Sequence, residues 1–400
     1  MAARKITEGI SSVGILNPIM RIFDIVMKTD YGTTYNSYIV KGSKKTALIE
    51  TCHLTYWEQY LANIKDVCEP ESIDYIILNH CEPDHSGVLA KLMQHCPNAE
   101  IIASQAGGIY LKDITNVPEL KVHVVKDGDT IDLGGKELKF INAPFLHWPD
   151  SMFTWCESEK ALFSCDFFGC HYCEPHDFDY NIAYPKKYDD ALYGYYMAIF
   201  GPFPTYVQNG LAKIEGLSPE YICTSHGPVL TSGSRFNEVK EKYILWSQPH
   251  KNAVKTIPIF YCSAYGNTGI IAEEIKRGVL DTIPDAAVTV YDLNSHPINE
   301  LQVALNSSDA FAVGSPTINA DAVAPVWNLL SHVDAIGNRK KPALAFGSYG
   351  WSGEAVPNLM ARMTGLKIAV FGEGFRFKFV PSADDLKKAR ELGQEFAKGV

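Results

Sequence analysis

The sequence contains no stretch of about 18 uncharged apolar residues, the length a membrane-crossing helix needs. Its start, Met1-Ala-Ala-Arg-Lys-Ile-Thr-Glu8, puts no apolar run behind the basic residues. No signal peptide is therefore expected, and the chain is read as cytoplasmic. There is no Lys/Arg block, and the formal net charge is −10. That balance argues against nucleic acid and against an anionic membrane surface, and leaves small molecules or a redox protein as partners. Internal repeats and low-complexity segments are also missing. The cysteines number ten but are scattered, without the framework spacing of a small secreted domain, so most read as reduced core thiols.

What is present is enough for two cores. The chain has 400 residues, 46% of them hydrophobic and 20% charged, which excludes disorder and exceeds one ordinary domain. Up to about residue 250, short β-rich runs alternate with helical stretches. The strands expected are Lys45–Thr51, Ile73–Leu78, Lys121–Val125 and Glu137–Ile141, with turns at Asp127-Gly128 and Gly134-Gly135 and a helix over Ser86–His95. Ser247-Gln-Pro-His-Lys-Asn252 reads as a linker. Beyond it the pattern becomes strict alternation. Strands are expected at Ile257–Tyr261, Ala287–Tyr291, Ala310–Val313, Ala343–Phe346 and Lys367–Phe371. Helices are expected at Thr268–Val279, Pro325–His332 and Ala355–Met363, and Ser382 is placed to cap a last one running toward Ala397. Five strands separated by helices imply a doubly wound parallel sheet over 251–400, behind a sheet-rich α/β domain over 1–250.

The first domain carries a cluster of metal-ligand types. After Leu78 the chain reads Asn79-His-Cys-Glu-Pro-Asp-His-Ser-Gly87, so His80, Glu82, Asp84 and His85 fall within six residues. An extended backbone over 80–84, favoured at Glu82 by Pro83, points His80, Glu82 and Asp84 one way and His85 another. His147, Asp166 and His226 each close an apolar run, where strand ends expose side chains along a common sheet edge. Four imidazoles suit zinc, copper or iron, and three carboxylates shift the preference toward iron or manganese. A carboxylate such as Asp166 can bridge a pair of ions. Cys165, Cys170 and Cys173 match part of an iron–sulfur spacing that needs a fourth cysteine. Asp166, lying inside the motif, is better explained as a bridge, and Cys170 and Cys173 as loop thiols rather than a redox pair.

The second domain carries three loops at strand ends. Ser263, Ala264, Tyr265, Gly266, Asn267 and Thr268 lead from the first strand into a helix. A helix N-terminus is an anion site, to which the hydroxyls add donors and Gly266 close backbone approach. The loop is neither a Walker loop nor a Gly-x-Gly-x-x-Gly turn. Ser315, Pro316, Thr317, Ile318 and Asn319 follow the third strand, and Ser348, Tyr349, Gly350, Trp351 and Gly353 the fourth. Ligands of such sheets bind outside the carboxyl ends of the strands. The aromatic rings of Tyr349 and Trp351 offer flat faces to a planar ligand.

The strand–loop pattern of the first domain looks like the metallo-β-lactamase fold, an αββα sandwich. Its zinc hydrolases usually show His-x-His-x-Asp-His, and Glu82 stands here where the second histidine would be. His-x-Glu-x-Asp-His with the later His147, Asp166 and His226, and the segment His147-Trp-Pro-Asp-Ser-Met152, resemble the flavodiiron proteins, or A-type flavoproteins. The hydroxyl-rich first loop resembles the phosphate loop of flavodoxins, and all three loops match the same family. The resemblance covers nearly the whole chain. It implies one iron on His80, Glu82 and His147, a second on Asp84, His85 and His226, Asp166 bridging, and FMN in the second domain. No second Cys-x-x-Cys occurs, so no rubredoxin domain of its own is expected.

Two ferrous ions can give one electron each and a reduced flavin two, the four that dioxygen needs to become water; nitric oxide needs two per pair of molecules. An FMN-dependent di-iron oxidoreductase removing either gas follows, supplied by a rubredoxin-like protein, a separate reductase or a reduced deazaflavin. The resemblance also implies a head-to-tail homodimer, or a dimer of dimers, with one subunit's FMN near the partner's irons. Tyr195 or Tyr196 is expected to approach the gas pocket as a hydrogen-bond donor, with a place in the core as the competing reading. Two other classes stay open: a zinc hydrolase fused to a flavodoxin module, and an electron-transfer module with a vestigial metal site.

Overall fold

The computed structural model describes residues 3–25, 27–249 and 251–400. The chain divides into two compact units, Met1–Gln248 and Pro249–Val400.

The first unit is built on two sheets. One has seven strands in the order Arg4–Lys5, Ile10–Ser12, Tyr38–Lys41, Thr46–Ile49, Tyr75–Leu78, Glu100–Ala103 and Val122–Val124. The other has six: Thr130–Asp132, Glu137–Asn142, Met152–Cys156, Ala161–Cys165, Tyr221–Thr224 and Leu230–Thr231. Period-two alternation sorts their side chains into layers. Val40, Ile49 and Ile77 face Phe140, Met152 and Phe163 in one shared core between the sheets. The neighbours pointing the other way, Ile39, Leu48 and Ile76, pack on Tyr60 and Ile64 of helix Trp57–Lys65 and on Leu89 and Leu92 of helix Leu89–His95. On the far side of the second sheet, Phe153, Leu162 and Ile222 meet Tyr188 and Leu192 of helix Pro185–Ile199 and Val239 and Tyr243 of helix Phe236–Trp246. Helix, sheet, sheet and helix layers therefore stack as an αββα sandwich.

The second unit has a parallel sheet ordered Val290–Asp292, Ile259–Tyr261, Phe311–Gly314, Pro342–Tyr349 and Ala369–Val370, which is 2-1-3-4-5 in chain order. That is the flavodoxin-like doubly wound topology. Ile259, Ala312 and Leu344 pack on helices Asn267–Thr282 and Ala383–Ala397, whereas Phe260, Val313 and Ala345 pack on Ile298–Asn306, Ala324–Ser331 and Ala355–Gly365. Ser382 caps the last helix through a capping box with Asp385.

Three local expectations are corrected. Residues 80–84 are not extended throughout: Pro83 occupies the first position of the short helix Pro83–Ser86, its fixed φ suiting a helix start. The helix expected from Ser86 begins at Leu89. The fifth strand shrinks to Ala369–Val370, because Lys367 leaves the preceding helix at φ 63. A further parallel strand, Phe375–Lys378, pairs with Phe346–Tyr349 instead. Of the expected linker, His250 lies outside the described residues.

Candidate metal centre and flavin loops

The turn at Pro83 divides the ligand cluster. Glu82 remains extended at φ −55, ψ 144, and its carbonyl accepts from the His85 and Ser86 N–H groups. His80 and Glu82 therefore point together, while Asp84 and His85, already helical, aim elsewhere. His147 lies in the loop between Glu137–Asn142 and Met152–Cys156, Asp166 directly after Ala161–Cys165, and His226 just past Tyr221–Thr224. These strands share one sheet, so their ends deliver three distant residues to one edge.

All seven side chains meet there. His80 Nε2 and His147 Nε2 stand 3.1 and 3.3 Å from Glu82 Oε2, and 3.8 and 3.5 Å from Asp166 Oδ2. His85 Nε2 and His226 Nε2 stand 3.4 and 3.1 Å from Asp84 Oδ2, and 3.3 and 3.5 Å from Asp166 Oδ1. Asp166 thus turns one oxygen to each half. Glu82 and His147 are 18% and 15% exposed at the side chain and the rest of the set at most 4%, so the centre opens on their side. Trp148 packs edge-on to His80, and Phe23 edge-on to His226.

The donor set fits a pair of cations. Asp84 Oδ1, His85 Nε2 and Asp166 Oδ1 are buried without a hydrogen-bond partner. Among the described residues no lysine or arginine pairs with the three carboxylates. Buried carboxylates in such number need compensating positive charge. Protons supply part of it here. Burial opposes charge on His80, but hydrogen bonds to Asp150 and Glu82 outweigh it and lift the imidazole to about 10. His85, His147 and His226 are raised in the same way against burial. Burial pushes Asp166 upward, yet the surrounding imidazoles, His85 foremost, hold it well below the usual range. Metal ions would replace those protons.

Sequence reasoning missed the groups behind the ligands. Asp150 Oδ2 lies 3.2 Å from His80 Nδ1, Glu50 Oε2 lies 3.3 Å from His85 Nδ1, and the Thr34 carbonyl accepts from His226 Nδ1 at 2.5 Å. His171 is also buried against the centre, its ring 5.1 Å from that of His226, with Nε2 unpartnered. Glu50 ends the apolar run Ala47-Leu-Ile49, the same signal that marked Asp166. Of the two tyrosines singled out, Tyr195 borders the centre, its ring 6.1 Å from that of His226 and 4.9 Å from that of His171. Tyr196 faces away, against Tyr243 and Trp246. All ten cysteines are free thiols, and burial pushes Cys170 and Cys173 up, the latter to about 11.

In the second unit the three loops leave adjacent strands and are tied together. The Thr268 N–H donates to Ser263 Oγ at 3.2 Å, and the Thr268 and Ser348 hydroxyls are 3.2 Å apart. The Thr317 N–H donates to the Ser348 carbonyl at 2.8 Å. Gly266 caps helix Asn267–Thr282 at φ 83, with open space where a Cβ would sit, so a phosphate can approach the backbone closely at this helix N-terminus. Tyr265 and Trp351 are 91% and 89% exposed, unusual for rings of this size, and Tyr349 lies half-buried between the loops. Aromatic faces beside an uncrowded helix N-terminus fit a flavin mononucleotide.

The chain matches the model of the ODP family beta lactamases over residues 33–227 and that of the flavodoxins over 259–393. It is 52% identical to a flavo-diiron protein of Clostridium acetobutylicum, covering the whole of both chains. It is 35% identical to the anaerobic nitric oxide reductase flavorubredoxin of Vibrio vulnificus, over 93% of this chain and 74% of that protein. Its fold superposes on the rubredoxin oxygen:oxidoreductase of Desulfovibrio gigas with a TM-score of 0.74 at 29% identity, covering 99% of this chain and 98% of that one. The chain belongs to the flavo-diiron proteins.

Proposed function

We propose that this protein is an FMN-dependent di-iron oxidoreductase that reduces dioxygen to water, nitric oxide to nitrous oxide, or both, with electrons from an external donor. The observation that carries the reading is the placement of Asp166, whose two carboxylate oxygens each join a separate set of histidine and carboxylate ligands. His80, Glu82 and His147 would hold one iron, Asp84, His85 and His226 the other, and Asp166 both. Ser263 to Thr268, Ser315 to Asn319 and Ser348 to Gly353 would hold FMN. When bound, the irons and the flavin together would supply up to four electrons for reduction of a gas.

The residues of the chain do the rest. Glu82 and His147 line the side open to solvent, so a small neutral gas has a way in. Phe23, Trp148 and Phe200 wall the centre with apolar rings that exclude water. The Tyr195 phenol, kept protonated by burial, is the hydrogen-bond donor for bound substrate.

The donor is a rubredoxin-like protein or a reduced deazaflavin; the name of the Desulfovibrio gigas relative supports the first. Residues 1–250 form the metal domain and 251–400 the flavin domain, and the working assembly is a head-to-tail homodimer. The deciding experiment is anaerobic reduction of the purified protein, with uptake of dioxygen and of nitric oxide measured and iron, zinc and flavin counted on the same sample. Two zinc ions in fully active protein, or flavin turnover without gas consumption, would sink the reading.

A further inference from the structure

Two buried carboxylates stand behind the metal centre and belong to neither ligand set. Glu50 and Asp150 are 1% exposed each. Each is pinned by a backbone donor from the ligand loop itself: the Asn79 N–H donates to Glu50 Oε1 at 2.8 Å, and the Cys81 N–H to Asp150 Oδ2 at 2.7 Å. The surroundings are anchored in turn: the Thr154 hydroxyl donates to the Asn79 side-chain oxygen, the Asn79 side-chain amide to the Phe163 carbonyl, and the Ser104 hydroxyl to the Asp150 carbonyl. Glu50 occupies a left-handed backbone position at φ 59, unusual for its side chain and found where the surroundings over-determine the conformation.

Their targets differ. Glu50 Oε2 stands 3.3 Å from Nδ1 of His85 as an ion-pair contact without an aligned hydrogen bond, and the Nε2 of that ring faces Asp84 and Asp166. Asp150 meets Nδ1 of His80, whose Nε2 faces Glu82 and Asp166. The two nitrogens of an imidazole point in opposed directions, so the ring itself screens each carboxylate from an ion at Nε2. A carboxylate on the outer nitrogen fixes the tautomer and ring orientation and makes the inner nitrogen a stronger donor. His226, by contrast, is backed by the neutral Thr34 carbonyl.

We propose that Glu50 and Asp150 are positioning residues with separate charges: Glu50 sets the donor strength at the Asp84, His85 and His226 position alone, and Asp150 at the His80, Glu82 and His147 position alone. The two irons are thereby tuned independently although Asp166 joins them. This assignment rests on the di-iron reading.

The test uses holoprotein loaded with iron-57 and examined by Mössbauer spectroscopy as wild type, E50Q, D150N and the double variant, with iron and FMN counted in each. Both amides keep the size of the side chain and remove its charge. E50Q is expected to shift one quadrupole doublet and D150N the other, the double variant to show both shifts, and chelator to strip the affected iron about 10–100-fold faster. E50D, which retains the charge, is expected to return the shifted doublet toward its wild-type position. Should E50Q fail to accumulate as folded protein, E50D alone carries the same expectation, a smaller shift confined to one doublet. A shift of both doublets by either single variant, no shift in either, or joint loss of both irons would overturn the assignment. Wild-type protein without two irons would instead overturn the di-iron reading, so the two failures are told apart.

Discussion

Glu82 Oε2 lies 3.3 Å from His147 Nε2, although Glu82 follows strand Tyr75–Leu78 of one sheet and His147 lies in a loop between two strands of the other. A histidine at position 82 would give the zinc-hydrolase pattern; a carboxylate brings negative charge to the more exposed half of the centre. Harder ions prefer oxygen donors, so Glu82 biases this half toward iron. Glu82→His is expected to cut the iron content by roughly half and raise zinc uptake, leaving FMN unchanged. Elemental analysis of protein refolded with equal iron and zinc checks this; an unaltered iron-to-zinc ratio would remove Glu82 as a selectivity determinant.

Asp166 serves both halves, so its loss should not be confined to one. Asp166→Ala removes both oxygens and leaves four imidazoles facing two carboxylates. Iron should fall for both positions together, and gas reduction by at least about 100-fold, because activity needs the pair. The protein should remain yellow, since the flavin loops belong to the other compact unit. Loss of flavin without loss of iron would contradict the division of labour between the two units.

The flavin loops predict the converse. Trp351→Ala and Tyr349→Ala each remove an aromatic face from the second unit. A ring contact of this kind contributes about 0.5–1.5 kcal/mol, or about 2- to 10-fold in the FMN Kd. Fluorescence titration of apoflavoprotein measures it, with iron counted in parallel. Wild-type FMN affinity in both variants would place the isoalloxazine elsewhere.

How much of this was legible in the residues depended on range. The doublet His80-x-Glu82 and the strand-end positions of His147, Asp166 and His226 are local signals, and each ligand stands at the common edge. The division between the halves was implied only by family resemblance, because the extended backbone assumed for 80–84 would have grouped Asp84 with His80. Pro83 favours an extended residue before it and also suits a first helical turn, and the second property decides the geometry. Glu50 and Asp150 lie within the strand and loop motifs, yet no local pattern says that a carboxylate will meet the back of an imidazole. The strand Phe375–Lys378 escaped because Gly372 and Gly374 broke the run, and pairing with Phe346–Tyr349 is a tertiary event. Four helices of the second unit were readable, since apolar periodicity is local and Ser382 caps the last, but Ile298–Asn306 was not expected.

The adjacent tyrosines should separate by function. Tyr195 borders the centre, whereas the Tyr196 hydroxyl is buried without a hydrogen-bond partner. A hydrogen bond to a charged or developing-charge group contributes about 1.5–3 kcal/mol, so Tyr195→Phe should lower kcat about 10- to 100-fold with metal and flavin intact. Tyr196→Phe deletes an unsatisfied polar atom and should leave kcat unchanged while Tm holds or rises. Equal kcat losses in the two variants would mean that the helix Pro185–Ile199 acts through packing and not through the Tyr195 phenol.

Metal removal should change how the protein handles protons. In the metal-free centre His80 is raised to about 10, and His85, His147 and His226 also lie above the ordinary imidazole value. At neutral pH these rings carry protons that offset the charge of Glu82, Asp84 and Asp166. A group whose folded-state pKa is raised stabilises the fold fully below its unfolded value, about 6.5, and loses that contribution as pH rises through its folded value. Metal-free protein should therefore lose stability between about pH 6.5 and 10, a window in which metal-loaded protein, whose imidazoles are held by ions, should not. Adding ferrous ion to metal-free protein in weak buffer at neutral pH should release protons, seen with an indicator dye. Uptake of two irons without proton release, or parallel Tm profiles for both forms across that window, would show that the metal-free imidazoles are already neutral.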